Sequence, residues 1–327
     1  FFGWLWMIEQ EVRPLVPMVY YHVWDNKPYP MFNKRYYDSN DKIVTISKVT
    51  DDIVRNVSPT VDTEYLPHAV DGSIFSPMNQ KDIDDFKRLF FSLAEGEEDD
   101  KFTFFWNNRN ARRKQTGSIL FWFKDFLDEI GHDKARLLMH TDPKDPHGQD
   151  MVAIMERIGL TEGQVLLSTQ KIPPDKLANL YNVADCTLNI SDAEGFGLAT
   201  LESLSCATPI IVNMTGGLQD QITDGTQWFG IGIEPISKAI IGSQQVPYIY
   251  EDRINGKDFV DALVRFTEMA PEERAKMGAG GRQHILDNYS MEQFASRWDN
   301  ILTELHATEG SWETRKNYQS WEFAEIV

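Results

Sequence analysis

Cysteine is nearly absent. Only Cys186 and Cys206 occur in 327 residues, both inside apolar segments. The pair reads as two small buried hydrophobes, which argues for a reducing, cytoplasmic setting over a disulfide-held one. Positive charge is also short: Lys and Arg number 32 against 50 Asp and Glu, a formal net charge of −18. This argues against a general nucleic-acid binder, since binding a duplex draws on Lys and Arg to neutralise phosphates. Any anionic ligand must therefore be held by a local basic cluster. No stretch reaches the ~20 consecutive apolar residues of a membrane span. The apolar start "FFGWLWMI" lacks an initiating Met and a basic leader and runs straight into "EQEVRPLVP". It reads as domain interior, with the expectation that the natural chain begins upstream. Repeats and low-complexity tracts are missing too. With 42% hydrophobic and 25% charged residues, the balance is that of a globular protein long enough for two domains.

Apolar runs bounded by turn residues predict strands at 15–24 ("LVPMVYYHVW") and 42–47 ("KIVTIS"), with helical stretches near 4–12 and 48–56. The segment 61–77, "VDTEYLPHAVDGSIFSP", reads as a strand leaving this first domain through a structured loop. An amphipathic helix and an acidic break fill 78–101 and suit a connector. From 102 the alternation is regular. Strands are expected at 102–108, 136–140, 164–168, 186–191 and 209–213, with helices at 116–130, 149–158, 174–184 and 197–206. Such alternation makes a parallel, doubly wound sheet whose ligands bind beyond the carboxyl ends of the strands. Residues 231–254 read as a long loop, followed by helices at 256–269, 271–288 and 291–306.

The stretch "SDAEGFGLATLESLSCATPII" (191–211) carries the chemistry. Gly195 and Gly197 let backbone approach a ligand closely, and the free N–H groups of the helix that starts there favour a phosphate. Glu194 and Glu202 flank that start, separated along the helix axis by at most ~12 Å at ~1.5 Å per residue. That span compares with the distance from sugar to ribose in a nucleotide-diphosphate sugar, and a carboxylate accepts hydrogen bonds from paired hydroxyls. The structural alternative is that Glu194 caps the helix and Glu202 faces solvent. "NNRNARRKQ" follows the first strand of the same domain and places Arg109 and Lys114 where they could reach a diphosphate across the strand ends. "TGGLQD" (215–220) brings Gly216 and Gly217 to the same sheet edge.

Residues 177–225 resemble the signature half of the retaining GT-B glycosyltransferases of the family 4 (group 1) type. "NRNARRK" is similar to that family's Arg-x4-Lys. "YLPHAVDGSIF" is similar to its segment entering the hinge, and "VPMVYYHVWD" to the first-domain strand ending in an active-site histidine, here His22. The resemblance implies an α/β fold of two Rossmann-like, doubly wound domains facing across a cleft, the first incomplete at its N-terminal side. The expected division is 1–80 for the acceptor-side domain, 81–101 for a connector, 102–290 for the nucleotide-sugar domain, and 291–327 for a helix and tail crossing back, with Trp312 and Trp321 packed.

The resemblance also implies roles. Glu202 binds the donor ribose. Glu194 with the backbone of Gly195, Phe196, Gly197 and Leu198 holds the transferred sugar and phosphate. Arg109 and Lys114 neutralise the leaving diphosphate, Gly216 and Gly217 contact the donor, and His22 faces the sugar. Three positions depart from the pattern: Ala69 and Ala207 stand where glycine is usual, and Asp220 where glutamate is common. The implied activity is retaining transfer of a sugar, expected to be a hexose, from a nucleotide-sugar donor to a saccharide or other hydroxyl acceptor. Front-face attack is expected, with no cofactor and no metal. The D-x-D at Asp82 and Asp84 lies on the charged connector helix and reads as a solvated face. A nucleotide-sugar epimerase and an inactive nucleotide-sugar-binding scaffold are the competing readings.

Overall fold

The computed structural model describes residues 3–97 and 99–318. They form two compact units. Unit 1 takes the described residues up to His68, Ile240–Tyr250, and those from Glu292 onward; unit 2 takes Ala69–Ala239 and Glu251–Met291. The division thus falls at 68/69, and the segment read as a connector, 81–101, lies within unit 2.

Unit 1 begins with α1 (Trp4–Val12), β1 (Val19–His22), a 3-10 turn at Met31–Asn33, α2 (Lys34–Asp38), β2 (Lys42–Thr45), α3 (Lys48–Val57) and β3 (Asp62–Tyr65). The three strands are parallel in the order β1-β2-β3, with Tyr20 opposite Ile43 and Val44 opposite Glu64. β1 is far shorter than the apolar run 15–24. Pro17 cannot donate to a ladder, so the strand starts only after it. α3 shows why its residues form a helix: the Ser47 hydroxyl accepts from the Thr50 N–H at 3.2 Å, and Thr50, Ile53, Val54 and Val57 bury one stripe at helical spacing.

Unit 2 opens with α4 (Gln80–Phe90), then alternates β4 (Phe102–Asn107), α5 (Thr116–Ile130), β5 (Ala135–His140), α6 (Met151–Ile158), β6 (Val165–Ser168), α7 (Pro174–Val183), β7 (Cys186–Asn189), α8 (Leu198–Ser205), β8 (Ile210–Asn213), α9 (Leu218–Ile222) and β9 (Gly230–Ile233). All six strands are parallel, ordered β6-β5-β4-β7-β8-β9. Phe104, Trp106, Phe123, Phe126, Leu188 and Ile211 pack its core. The order reverses between β4 and β7, so the loops leaving those two strands lie side by side at the sheet's carboxyl edge.

The expectation of a long loop at 231–254 is overturned. β9 is followed by a hairpin, β10 (Ser237–Ile241) and β11 (Ile249–Arg253). β9 was illegible because its sequence, Gly-Ile-Gly-Ile, carries two residues with low strand preference. The fold needs one of them: a Cβ on Gly230 would meet the Ile210 carbonyl oxygen at 1.8 Å. α10 (Gly256–Glu268) and α11 (Pro271–Asn288) complete unit 2, and α12 (Met291–Glu309) belongs almost wholly to unit 1. There Ile301, Phe294 and Trp298 pack with Val44, Leu66 and Tyr21. The packing expected of Trp312 is not found. It sits in a 3-10 turn, 65% exposed, because the chain is anchored there by its backbone N–H to the Leu15 carbonyl at 2.6 Å. Trp321 lies outside the described residues. No helix among the described residues is long and apolar enough to cross a membrane.

Candidate active site

The loop after β4 closes in a 3-10 turn, Arg112–Lys114, which delivers Gln115 in a left-handed conformation (φ 57°) to the start of α5. Beside it runs the loop after β7, and the Asp192 N–H donates to the Arg113 carbonyl at 2.8 Å. Lys114 Nζ donates to Glu194 Oε2, joining the two loops by an ion pair. Lys114 is only 6% exposed. The Arg113 guanidinium lies 3.8 Å from the same carboxylate oxygen and also donates to the Ala193 carbonyl. Burial pushes the Glu194 acid upward, but the charges of Lys114 and then Arg113 outweigh it and hold the carboxyl below its usual value. Glu194 is therefore a charge held in place, and it does not cap α8: Gly197 occupies the N-cap with no side-chain bond to the helix start.

Gly197 has φ +95°, a conformation that disfavours any side chain. A Cβ there would also meet Leu218 Cδ2 at 2.6 Å. Gly217 is required for a different reason. Its N–H donates to the Glu194 carbonyl at 2.9 Å, and a Cβ would meet the Phe196 Cα at 2.7 Å and the Gly195 carbonyl at 2.8 Å. The loop after β8, with Gly216 at φ +50°, thus lies directly on the backbone of Gly195 and Phe196. Gln221, fully buried, fixes this contact by donating to the Phe196 carbonyl at 2.8 Å and accepting from Thr200 at 2.7 Å. Leu198, 47% exposed, marks the open side at the first turn of α8.

Glu202 lies one turn further into α8. Its Oε2 accepts from Tyr181 Oη at 2.7 Å, and Tyr181 Oη in turn accepts from Asn107 Nδ2 at 2.8 Å. Burial raises the Glu202 carboxyl to about 7, offset only in part by the Tyr181 bond. The two glutamates are thus both functional-looking, half or more buried groups, and the solvent-facing alternative for Glu202 does not hold.

Arg109 is placed elsewhere. It is exposed and forks onto Asp145 at 2.6 and 3.1 Å, with His147 Nδ1 at 2.7 Å. The arginine beside Glu194 is Arg113. His22 ends β1 in unit 1, 1% exposed, with Nε2 2.8 Å from Tyr37 Oη and its ring against Tyr20 and Tyr37. Burial lowers it to about 3, so it is neutral near pH 7. It lines a cavity of about 320 Å³ within unit 1, together with Trp24, Asn26, Ile241 and Val246. Asp82 and Asp84 serve α4 itself, accepting from Asn79 at 2.7 Å and Gln80 at 2.8 Å. The residues that the sequence did not reveal are Arg113, Tyr181, Asp192, Glu251 and Arg253. Arg113 sits inside the basic cluster, so its signal was present; the others become visible only through their contacts.

Residues 149–284 match the family model described as glycosyl transferases group 1. Glu194, Glu202 and the glycine loops fall inside this matched stretch, which takes in less than half of the chain, whereas Lys114 lies outside it. Among curated proteins, D-inositol 3-phosphate glycosyltransferase of Acidothermus cellulolyticus is 43% identical over 54 residues, 16% of this chain and 12% of that protein. Alpha-monoglucosyldiacylglycerol synthase of Streptococcus pneumoniae is 25% identical over 193 residues, 58% of this chain and 42% of that one. The matched stretches thus span less than half the length of these relatives. Among solved structures, sucrose-phosphate synthase from Thermosynechococcus elongatus matches with a TM-score of 0.66 at 20% identity, over 85% of this chain and 61% of that one. Anabaena Alr3699/HepE, solved in complex with UDP-glucose, matches with a TM-score of 0.68 at 12% identity, over 88% and 72%. The likeness establishes the α/β fold, of the GT-B class.

Proposed function

We propose that this chain belongs to a retaining glycosyltransferase that moves a hexose from a nucleotide-diphosphate sugar to a hydroxyl acceptor. The observation that carries the reading is the buried Lys114–Glu194 pair at the switch point, with Glu202 one turn along the adjoining helix. In this reading the ribose hydroxyls bind Glu202, the diphosphate lies over the N–H groups at the start of α8, and the transferred sugar reaches Glu194. Lys114, with Arg113 beside it, stabilises the charge that develops on the leaving diphosphate. A preorganised cationic pair does this work without a metal ion.

The carboxylates of the site are all engaged: Glu194 with Lys114, Asp192 with Gln115 and Arg253, Glu251 with Arg112, Glu202 with Tyr181. This favours front-face attack over a covalent glycosyl-enzyme, with the departing phosphate taking the acceptor proton. A cytoplasmic setting is part of the same reading. Calorimetric titration with UDP, GDP and ADP, with and without EDTA, tests it. Binding of one diphosphate that survives EDTA and is lost in Lys114→Ala supports it, and absence of binding to any of the three overturns it.

A further inference from the structure

The hairpin strand β11 has no place in the reaction as derived, yet three loops of the candidate site are fastened to it. From the loop after β4, Arg112 forks onto Glu251 at 2.6 and 2.8 Å. From the loop after β7, Asp192 accepts from Arg253 at 2.8 Å and from Gln115 at 2.5 Å, and its carbonyl accepts from the Asp252 N–H at 2.8 Å. From the end of β8 and the loop beyond it, Asn213 donates to the Asp252 carbonyl at 3.1 Å and Thr215 to its carboxylate at 2.8 Å. Arg253 also donates to Glu251 at 3.1 Å. Glu251 is 2% exposed and Asp192 equally so, so the tie is made in a setting where a fork of charged bonds is strong and directional.

Loops are ordinarily the mobile parts of a domain, whereas stabilising a developing charge demands donors held to about 0.5 Å. The arrangement also balances charge. Glu251, Asp192 and Asp252 stand against Arg112, Arg253 and Lys238, which leaves Lys114 and Arg113 opposite the single carboxylate of Glu194, a surplus of one positive charge for a ligand.

We propose that Glu251-Asp252-Arg253 is the positioning element of the phosphate side of the site, with Glu251 setting the place of Lys114 and Arg113 through Arg112. This inference rests on the nucleotide-sugar reading. It makes an opposite prediction to simple electrostatics, since removing a negative charge beside a phosphate site should otherwise tighten binding. In Glu251→Gln, affinity for whichever of UDP, GDP and ADP binds the unaltered protein is expected to fall tenfold or more, while affinity for the matching nucleoside, measured by displacement, stays the same. Unchanged or tighter diphosphate binding overturns the proposal, as does an equal loss for diphosphate and nucleoside, which would report general loosening of the fold. Should Glu251→Gln fail to fold, Arg253→Lys decides by the same comparison, with a severalfold selective loss expected. If the unaltered protein binds none of the three diphosphates, the nucleotide-sugar reading itself falls, which is distinct from a parent that binds and a Glu251 variant that does not differ.

Discussion

Glu194 and Glu202 stand eight positions apart in one loop-helix segment, and their surroundings push them in opposite directions. Glu194 meets Lys114 and Arg113 and is held below the usual carboxylate value despite its burial. Glu202 meets the neutral Tyr181 hydroxyl, and burial takes it up to about 7. One end of the site therefore keeps a permanent charge, while the other changes its charge near neutral pH. The difference comes from the partner: a full cation offsets the loss of solvation, whereas a neutral hydroxyl offsets only part of it.

The comparison breaks most forcefully at Lys114. Lys114→Ala leaves Glu194 buried without its chief cation and should cost on the order of 3–5 kcal/mol in urea unfolding. Coupling in a double-mutant cycle with Glu194→Ala should recover much of that loss, and strictly additive effects would show that the pair is not the unit described. Sugar transfer, assayed with the donor that binds, should fall by roughly 10²–10³.

Glu202 sharpens the other side. Its folded value lies above the ordinary 4.5, so the stability it contributes is fully present below pH 4.5 and is lost as pH rises to about 7. Glu202→Gln should accordingly match the parent near pH 4 and exceed it at pH 8 by on the order of 1–3 kcal/mol, read from thermal melts. Nucleotide affinity in the parent should strengthen as pH rises through about 7, where the carboxylate becomes able to accept from both ribose hydroxyls, and should be flat in the variant. A parent with no inflection in that range would contradict the assignment.

Smaller effects test the frame around the pair. Ala207 adopts φ +60°, the left-handed region that penalises a Cβ, at a position where the resembling family carries glycine. Ala207→Gly should therefore raise stability by about 1 kcal/mol, and a lowered melting temperature would refute the strain. Arg109→Ala should change the melting temperature little, since Arg109 is 60% exposed in its pair with Asp145 and solvent screens the attraction. It should also weaken nucleotide binding less than Arg113→Ala; the reverse order would mean that Arg109 leaves Asp145 when the ligand arrives.

Much of unit 2 was legible because its helices and strands carry strong periodic patterns: "TGSILFWFKDFLDEI" can hardly be anything but α5 packed on a sheet. β9 was not, because two glycines, of which Gly230 is required by the close approach to Ile210, erase the strand signal. The hairpin at 237–253 was illegible for another reason, since its stability comes from Glu251 and Arg253 meeting loops more than a hundred residues away in the case of Arg112. Trp312 misled because the resemblance implied a tail packed back on the first domain, whereas backbone anchoring fixed its place and left the ring outside. Glycine spacing and the two glutamates drew attention to these loops, but that Arg113 stands beside Glu194 while Arg109 pairs with Asp145 was not legible in the sequence.

By itself the sequence determined the alternation that makes a doubly wound sheet, and the residue types that could meet a sugar nucleotide, because both are written in local pattern and chemistry. Tertiary structure alone decided which cation faces Glu194, what Glu202 titrates against, and which strand ties the loops together. Those depend on strand order: β4 and β7 are neighbours although eighty residues separate Lys114 from Glu194, and the strength and sign of a charge's environment are set by what lies beside it in space.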